Sequence, residues 1–346
     1  MVSITHNFLA QLLTRPRFLA NAAVSAAELS AAAERVESDP VALQIEVTSR
    51  CNFACDYCIV HNGSESLPPR DMSIEMFRRV LDRFPRSFYL QLHGQGEPLL
   101  NPRLVEMVQV AEEQRRFCSI VTNGSLWDEP LSAALLEAGV DVIAFSLDLC
   151  AESEMLRHRR GMDAAKVVAN LERVMRLRDR IRPATAVGIS SVLLRHVYED
   201  PDALRAAVDR LDALGIDFLM VGPLAGTQAY RERYPEPLQA EPIGQLLAHR
   251  LLPFRTNCTV YDTPDTNFFA NRCIWPWAAL YVNHDGSVAY CSNNHRVTVG
   301  HIDQPELRTL PVFQALRRDF QAGRVPEGCR GCQYLLAYRP DGDVAR

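Results

Sequence analysis

Three cysteines, Cys51, Cys55 and Cys58, follow directly on a short apolar strand, Leu43–Val47, in the run Glu46-Val47-Thr48-Ser49-Arg50-Cys51-Asn52-Phe53-Ala54-Cys55-Asp56-Tyr57-Cys58. A structural zinc site takes four protein ligands, and a closed iron–sulfur cluster takes four thiolates. Three thiolates on one tight loop can hold a four-iron cluster with one iron left open to a small molecule. Half of a zinc knuckle, or thiols that merely pack, are the plainer alternatives.

A second group lies near the C-terminus. Cys273 and Cys291 bracket a stretch in which Leu280, Val282, Val288 and Tyr290 alternate around Asp285-Gly286, the pattern of a β-hairpin with a tight turn. A hairpin brings its ends together, so both thiols can serve one site. Cys329-Arg330-Gly331-Cys332 adds two more at knuckle spacing. Four thiolates suit a closed four-iron cluster, with zinc as the alternative.

Polar residues gather where the apolar strands end. The second strand runs into His93-Gly94-Gln95-Gly96-Glu97-Pro98, the third into Thr122-Asn123-Gly124 and the fourth into Ser146-Leu147-Asp148. Arg159-Arg160-Gly161 follows, and Ser190 lies on the fifth. Together with the three-cysteine loop, these motifs resemble the radical S-adenosylmethionine (SAM) superfamily. The resemblance covers most of the chain and implies that SAM chelates the open iron of a [4Fe-4S] cluster on Cys51, Cys55 and Cys58. It places Tyr57 beside the adenine and Gly96 and Glu97 at the cofactor's ammonium group. Asn123, Ser146, Arg160 and Ser190 would stand near its remaining parts. Gln95 departs from the family's glycine-glycine-glutamate element. The C-terminal cysteines are similar to the SPASM/twitch extension, with one auxiliary [4Fe-4S] cluster on Cys273, Cys291, Cys329 and Cys332. Tyr338 and Gly342 replace the further thiols of the fuller form.

Strands expected at Leu43–Val47, Phe88–His93, Phe117–Thr122, Val142–Leu147, Ala186–Leu194 and Ile216–Val221 alternate with amphipathic helices. Asn101-Pro102, Asp128 and Asp200-Pro201 are helix starts; Gly139 and Gly215 are stops. The alternation implies an α/β fold with a parallel sheet, and six units fit the partial (β/α)6 barrel of the resemblance. Four segments follow: N-terminal Ala-rich helices over 1–40, barrel over 41–225, connector over 226–270 with one helix near Ile243–Leu251, and the auxiliary module over 271–346. Chemistry in parallel α/β folds collects at the carboxyl ends of the strands.

The net charge of −5, with both signs interspersed, recommends neither nucleic acid nor an anionic membrane as partner. Arg15-Pro16-Arg17 before an Ala-rich run imitates a signal peptide, but Asn21 and Ser25 interrupt it. No apolar run is long enough to span a membrane. Spaced thiolate ligands need a reducing compartment, so a cytoplasmic location is expected. Lys166 is the sole lysine and sits in a solvated helical pattern, which disfavours Schiff-base chemistry.

The resemblance implies a 5′-deoxyadenosyl radical that takes a hydrogen atom from the substrate, with flavodoxin or ferredoxin as the reducing partner. The favoured substrate is a small molecule, a sugar or aminocyclitol-type natural-product precursor, dehydrogenated or epimerised at a hydroxyl-bearing carbon. Its electron would pass to the auxiliary cluster. His93 is the candidate base, and Cys150 and Cys258 are candidate hydrogen donors; Cys118 is expected in the core. The alternative is a peptide or protein maturase, of the ribosomal-peptide or sulfatase-maturase type. Against it, the forty residues before the first strand are short for a leader-recognition domain. A non-catalytic electron-transfer protein would have no use for the Gly94–Glu97 loop.

Overall fold

The computed structural model describes residues 2–58, 70–192, 200–222, 258–262, 268–269, 272–294, 297–330 and 332. The expected helix near Ile243–Leu251, and Tyr338 and Gly342, lie outside them.

Two helices open the chain, α1 (Ile4–Leu13) and α2 (Pro16–Ser30). Strand and helix then alternate: β1 (Ala42–Ile45), α3 (Ile74–Arg83), β2 (Tyr89–Gln91), α4 (Leu104–Glu113), β3 (Phe117–Thr122), α5 (Glu129–Ala138) and β4 (Val142–Ser146). After β4 come α6 (Glu152–His158), α7 (Ala164–Ile181), β5 (Ala186–Val192), α8 (Pro201–Asp212), β6 (Phe218–Gly222) and β7 (Thr259–Asp262). A ribbon of β8 (Phe268–Phe269) and β9 (Arg272–Cys273) leads to β10 (Ala279–Val282), β11 (Ser287–Ala289), β12 (Thr298–His301) and α9 (Pro311–Gln321).

The helix starts follow side-chain chemistry. Asp128 Oδ1 accepts from Leu131 N at 2.8 Å, and Asp200 Oδ1 accepts from Asp202 N and Ala203 N, each satisfying orphan donors of a first turn. Asn101 opens α4 as expected, its Oδ1 accepting from Arg103 N at 2.8 Å and its carbonyl from Leu104 N at 3.1 Å, and it has a second task. Helix α4 begins at Leu104, and Asn101 Nδ2 donates to Val47 O (2.7 Å) and Met72 O (3.0 Å), stapling the loop after β2 to the end of β1.

β1 to β7 form one parallel sheet in sequence order, with β7 beside β6. Six parallel strands are expected from the sequence. The seventh, Thr-Val-Tyr-Asp, lies in the expected connector, where four residues are too few for a visible alternation. The auxiliary hairpin is also no separate body. β10 pairs parallel with β1, Gln44 opposite Tyr281, and β11 and β12 continue antiparallel outward.

Leu43, Ile45, Leu90, Ile120, Ile143 and Val187 pack outward against the helices in the main core. Strand alternation therefore turns Gln44, Gln91 and Ser119 to the inner face, where the register aligns them with Tyr281 in one row. Below that row α1 and α2 close the amino-terminal edge: the Phe8 ring lies 5.1 Å from Phe88 and 5.3 Å from Phe117. The end of α2 meets the auxiliary module around Trp277, whose Nε1 donates to Ala33 O at 2.9 Å.

Candidate active site

The three-cysteine loop leaves the carboxyl end of β1 and is held from three sides. Ala54 N donates to Arg160 O and Asp56 N to His158 O, both at 2.9 Å, so the loop runs alongside the segment after α6. Arg160 Nε donates to Ala54 O and pairs with Asp56, each at 2.9 Å. Arg160 thus grips the loop from its exposed side. Phe53 N donates to Cys51 Sγ at 3.4 Å, and Asn123 Nδ2 lies 4.0 Å from the same sulfur.

None of the ten cysteines is in a disulfide. Burial pushes the Cys51 and Cys55 thiols up to about 11. Such thiols stay protonated alone and ionise when a metal supplies the compensating charge. In the auxiliary module burial pushes Cys273 and Cys329 well above the usual thiol range. Cys273 is pushed further by Cys291 and Cys332, and Cys329 by Cys291, Cys273 and Cys332, so four thiols share one small region. Asn293 Nδ2 donates to Cys332 Sγ at 3.6 Å. Among the described residues no three Cys, His, Asp or Glu side chains close around a single ion. Donor sets made of thiolates alone suit iron–sulfur clusters. Both thiol sets fit iron–sulfur clusters.

The Gly94–Glu97 loop lies against the cysteine loop. Glu97 N donates to Arg50 O at 2.7 Å, and a Cβ at Gly96 would stand 2.2 Å from Thr48 O and 2.6 Å from Arg50 O. Only glycine fits there. The Glu97 carboxylate is buried and accepts from Thr122 Oγ1 (2.7 Å), Asn123 N (2.6 Å) and Leu99 N (3.1 Å). It braces the loop after β2 against the end of β3. Burial pushes its carboxyl up to about 7 against the pull of those hydrogen bonds. Asn123 is braced in turn, its Nδ2 donating to Asn52 Oδ1 at 2.8 Å.

Tyr57 is buried, and its hydroxyl donates to Asp148 just beyond β4. Arg159 grips the same carboxylate from Nε and Nη2 at 2.8 and 2.7 Å and stacks 5.5 Å over the Tyr57 ring. Ser146 and Ser190 are register partners at the carboxyl ends of β4 and β5, half-buried.

The candidate base and the two candidate hydrogen donors fare differently. His93 lies past β2 on the inner face, with its buried Nδ1 unpartnered; burial pushes the ring down to about 4, which leaves it neutral and a weak base. Cys150 is 2% exposed and belongs to the core between sheet and helices. Cys258 is buried in the main core and immediately precedes β7, which pairs parallel with β6. Cys118 is core, as expected.

Sequence reasoning missed Glu46, Arg159, Tyr281 and His284. The signal for Glu46 was present: a carboxylate at an inward position of an apolar strand, fully buried.

Comparison with known proteins places two matches on this framework. The model of the Radical SAM superfamily matches residues 45–204, and that of an iron–sulfur cluster-binding domain, SPASM, matches residues 273–333. The chain is 26% identical over 187 residues to a tungsten-containing aldehyde ferredoxin oxidoreductase cofactor-modifying protein of Pyrococcus furiosus, covering 53% of this chain. It spans about half (51%) of that protein's length. It is 26% identical over 315 residues to a PqqA peptide cyclase of Ruegeria pomeroyi, covering 85% of this chain and 79% of the cyclase. In fold it is similar to Streptococcus suis SuiB bound to precursor peptide SuiA, with TM-score 0.65 and 16% identity over 92% of this chain and 75% of that one. Among the described residues no helix is long and apolar enough to cross a membrane.

Proposed function

Because the chain belongs to the radical SAM superfamily and carries a SPASM-type iron–sulfur module, we propose that it is a peptide-modifying radical SAM enzyme. The observation that carries this reading is the extent of the likeness to the peptide cyclase. At 85% of this chain, it must take in both barrel strands and the hairpin cysteines Cys273 and Cys291. The sugar or aminocyclitol substrate expected from sequence has no comparable support, and the peptide alternative takes its place.

When bound, the reduced cluster and SAM supply a 5′-deoxyadenosyl radical that abstracts a hydrogen atom from the substrate. The chain's own residues position and protect. Cys51, Cys55 and Cys58 would hold the first cluster, and Cys273, Cys291, Cys329 and Cys332 the auxiliary one. Glu97 and Asn123 lock the cofactor loop to the end of β3 and the cysteine loop, while Ser146 and Ser190 line the carboxyl edge. A cluster on the auxiliary thiols would supply an acceptor for one electron from the substrate radical; with one hydrogen atom and one proton also lost, the modified peptide would be two hydrogens poorer.

The test uses iron-loaded, reduced protein with SAM and synthetic versions of short peptides encoded beside its gene. The expected result is a peptide lighter by two hydrogens, formed together with 5′-deoxyadenosine. Unchanged peptides, with turnover of amino sugars or aminocyclitols instead, would return the small-molecule reading.

A further inference from the structure

Glu46 stands one residue past β1 and is fully buried. Leu43 and Ile45 face the helices, so Glu46 alternates to the inner face of the sheet. Two distant segments meet on its carboxylate. From the auxiliary module, the Tyr281 hydroxyl donates to Oε2 at 3.1 Å, and His284 Nδ1 lies 3.3 Å from Oε1. From the cofactor loop, Gln95 N donates to Oε2 at 3.4 Å. The packing is close: a Cβ on Gly94 would stand 2.6 Å from the Tyr281 hydroxyl and 2.7 Å from Glu46 Cβ.

A carboxylate with no exposure is costly to bury unless donors face it. Here the auxiliary hairpin provides them, and β10 is bound to β1 through the parallel register Gln44 opposite Tyr281. The hairpin therefore does more than carry cluster ligands. It fixes the orientation of a carboxylate that also receives an amide of the cofactor loop.

We propose that Glu46 is a positioning residue through which Tyr281 and His284 of the auxiliary module set the geometry of the Gly94–Glu97 loop, so that SAM binding at the first cluster depends on the module being seated. Hydrogen bonds to a buried charge are among the stronger ones, and losing one shifts an orientation that the loop cannot recover alone. The inference rests on the SAM chemistry and not on the peptide substrate, so it stands or falls separately from that reading.

The test measures the SAM dissociation constant of the iron-loaded protein by equilibrium dialysis, with no substrate present. Tyr281→Phe and His284→Leu are expected to weaken SAM binding about tenfold, with iron content close to that of the unmodified chain. His284→Gln, whose amide can still donate to Glu46, is expected to restore most of the affinity. Glu46→Gln combined with Tyr281→Phe should be no weaker than Glu46→Gln alone, because both act through one carboxylate. Unchanged affinity, additive losses in the double variant, or no rescue by His284→Gln would overturn the proposal. If His284→Leu loses iron, Tyr281→Phe, which removes a single hydroxyl, decides the matter.

Discussion

The Tyr57 hydroxyl donates to Asp148, 91 residues further along the chain. The tyrosine beside the third cysteine is thereby tied to the end of the fourth strand, and Arg159 closes the arrangement by gripping the same carboxylate. The cysteine loop has no regular secondary structure of its own, so its shape comes from such tertiary ties.

Breaking this tie predicts a loss of both stability and iron. Burial alone would raise the Asp148 carboxyl, but the Arg159 charge and the bonds from Arg159 and Tyr57 hold it below the ordinary range. A depressed carboxylate contributes stability that is present above its ordinary value and is lost as pH falls through its folded value. Asp148→Asn leaves Arg159 buried without its counter-charge, which costs about 3–5 kcal/mol. Urea unfolding at neutral pH, with iron counted per chain, measures both effects; an unchanged midpoint would show the pair to be dispensable.

Glu97 predicts the opposite pH dependence. Its carboxyl is raised to about 7, so the folded chain holds the proton more tightly than the unfolded one. That stability is full below the ordinary carboxylate value and drains away as pH rises through about 7. The amount is on the order of 3 kcal/mol. Metal-free protein unfolded in urea at a series of pH values should lose stability between pH 5 and 8, and Glu97→Gln should flatten that slope.

Gly96→Ala should abolish SAM binding. The added carbon would stand 2.2 Å from the Thr48 carbonyl oxygen, which is backbone and cannot swing aside. Equilibrium dialysis with SAM checks it. Retained affinity would mean that the two loops separate more easily than their hydrogen bond implies.

Replacing Cys51, Cys55 and Cys58 together by alanine should remove the first cluster and leave the auxiliary iron bound. Reduced wild-type protein given SAM alone should form 5′-deoxyadenosine, and the triple variant should not. Absence of 5′-deoxyadenosine from the wild type would support a purely electron-carrying protein.

Cys258→Ala should leave that SAM cleavage within about twofold of the unmodified chain, since its thiol is buried in the main core. A large loss would give the thiol a part in binding or cleaving the cofactor.

Much of this protein was legible in the chain itself. The spacing of Cys51, Cys55 and Cys58, the glycines around Gln95 and the hairpin between Cys273 and Cys291 are local features, and local spacing is what a sequence records directly. The alternation of apolar strands with capped helices was equally plain, because periodicity and caps are set by neighbouring residues. What the chain could not show is which distant groups meet. That Glu97 spends its oxygens on Thr122, Asn123 and Leu99, that Arg160 grips the cysteine loop from outside, and that β10 docks beside β1 are facts of strand order and register. The same is true of Cys258: its residue type suggested chemistry, and only the packed sheet showed its thiol buried in the main core. Burial and pairing depend on the whole sheet being assembled, and for that reason only the tertiary structure decided them.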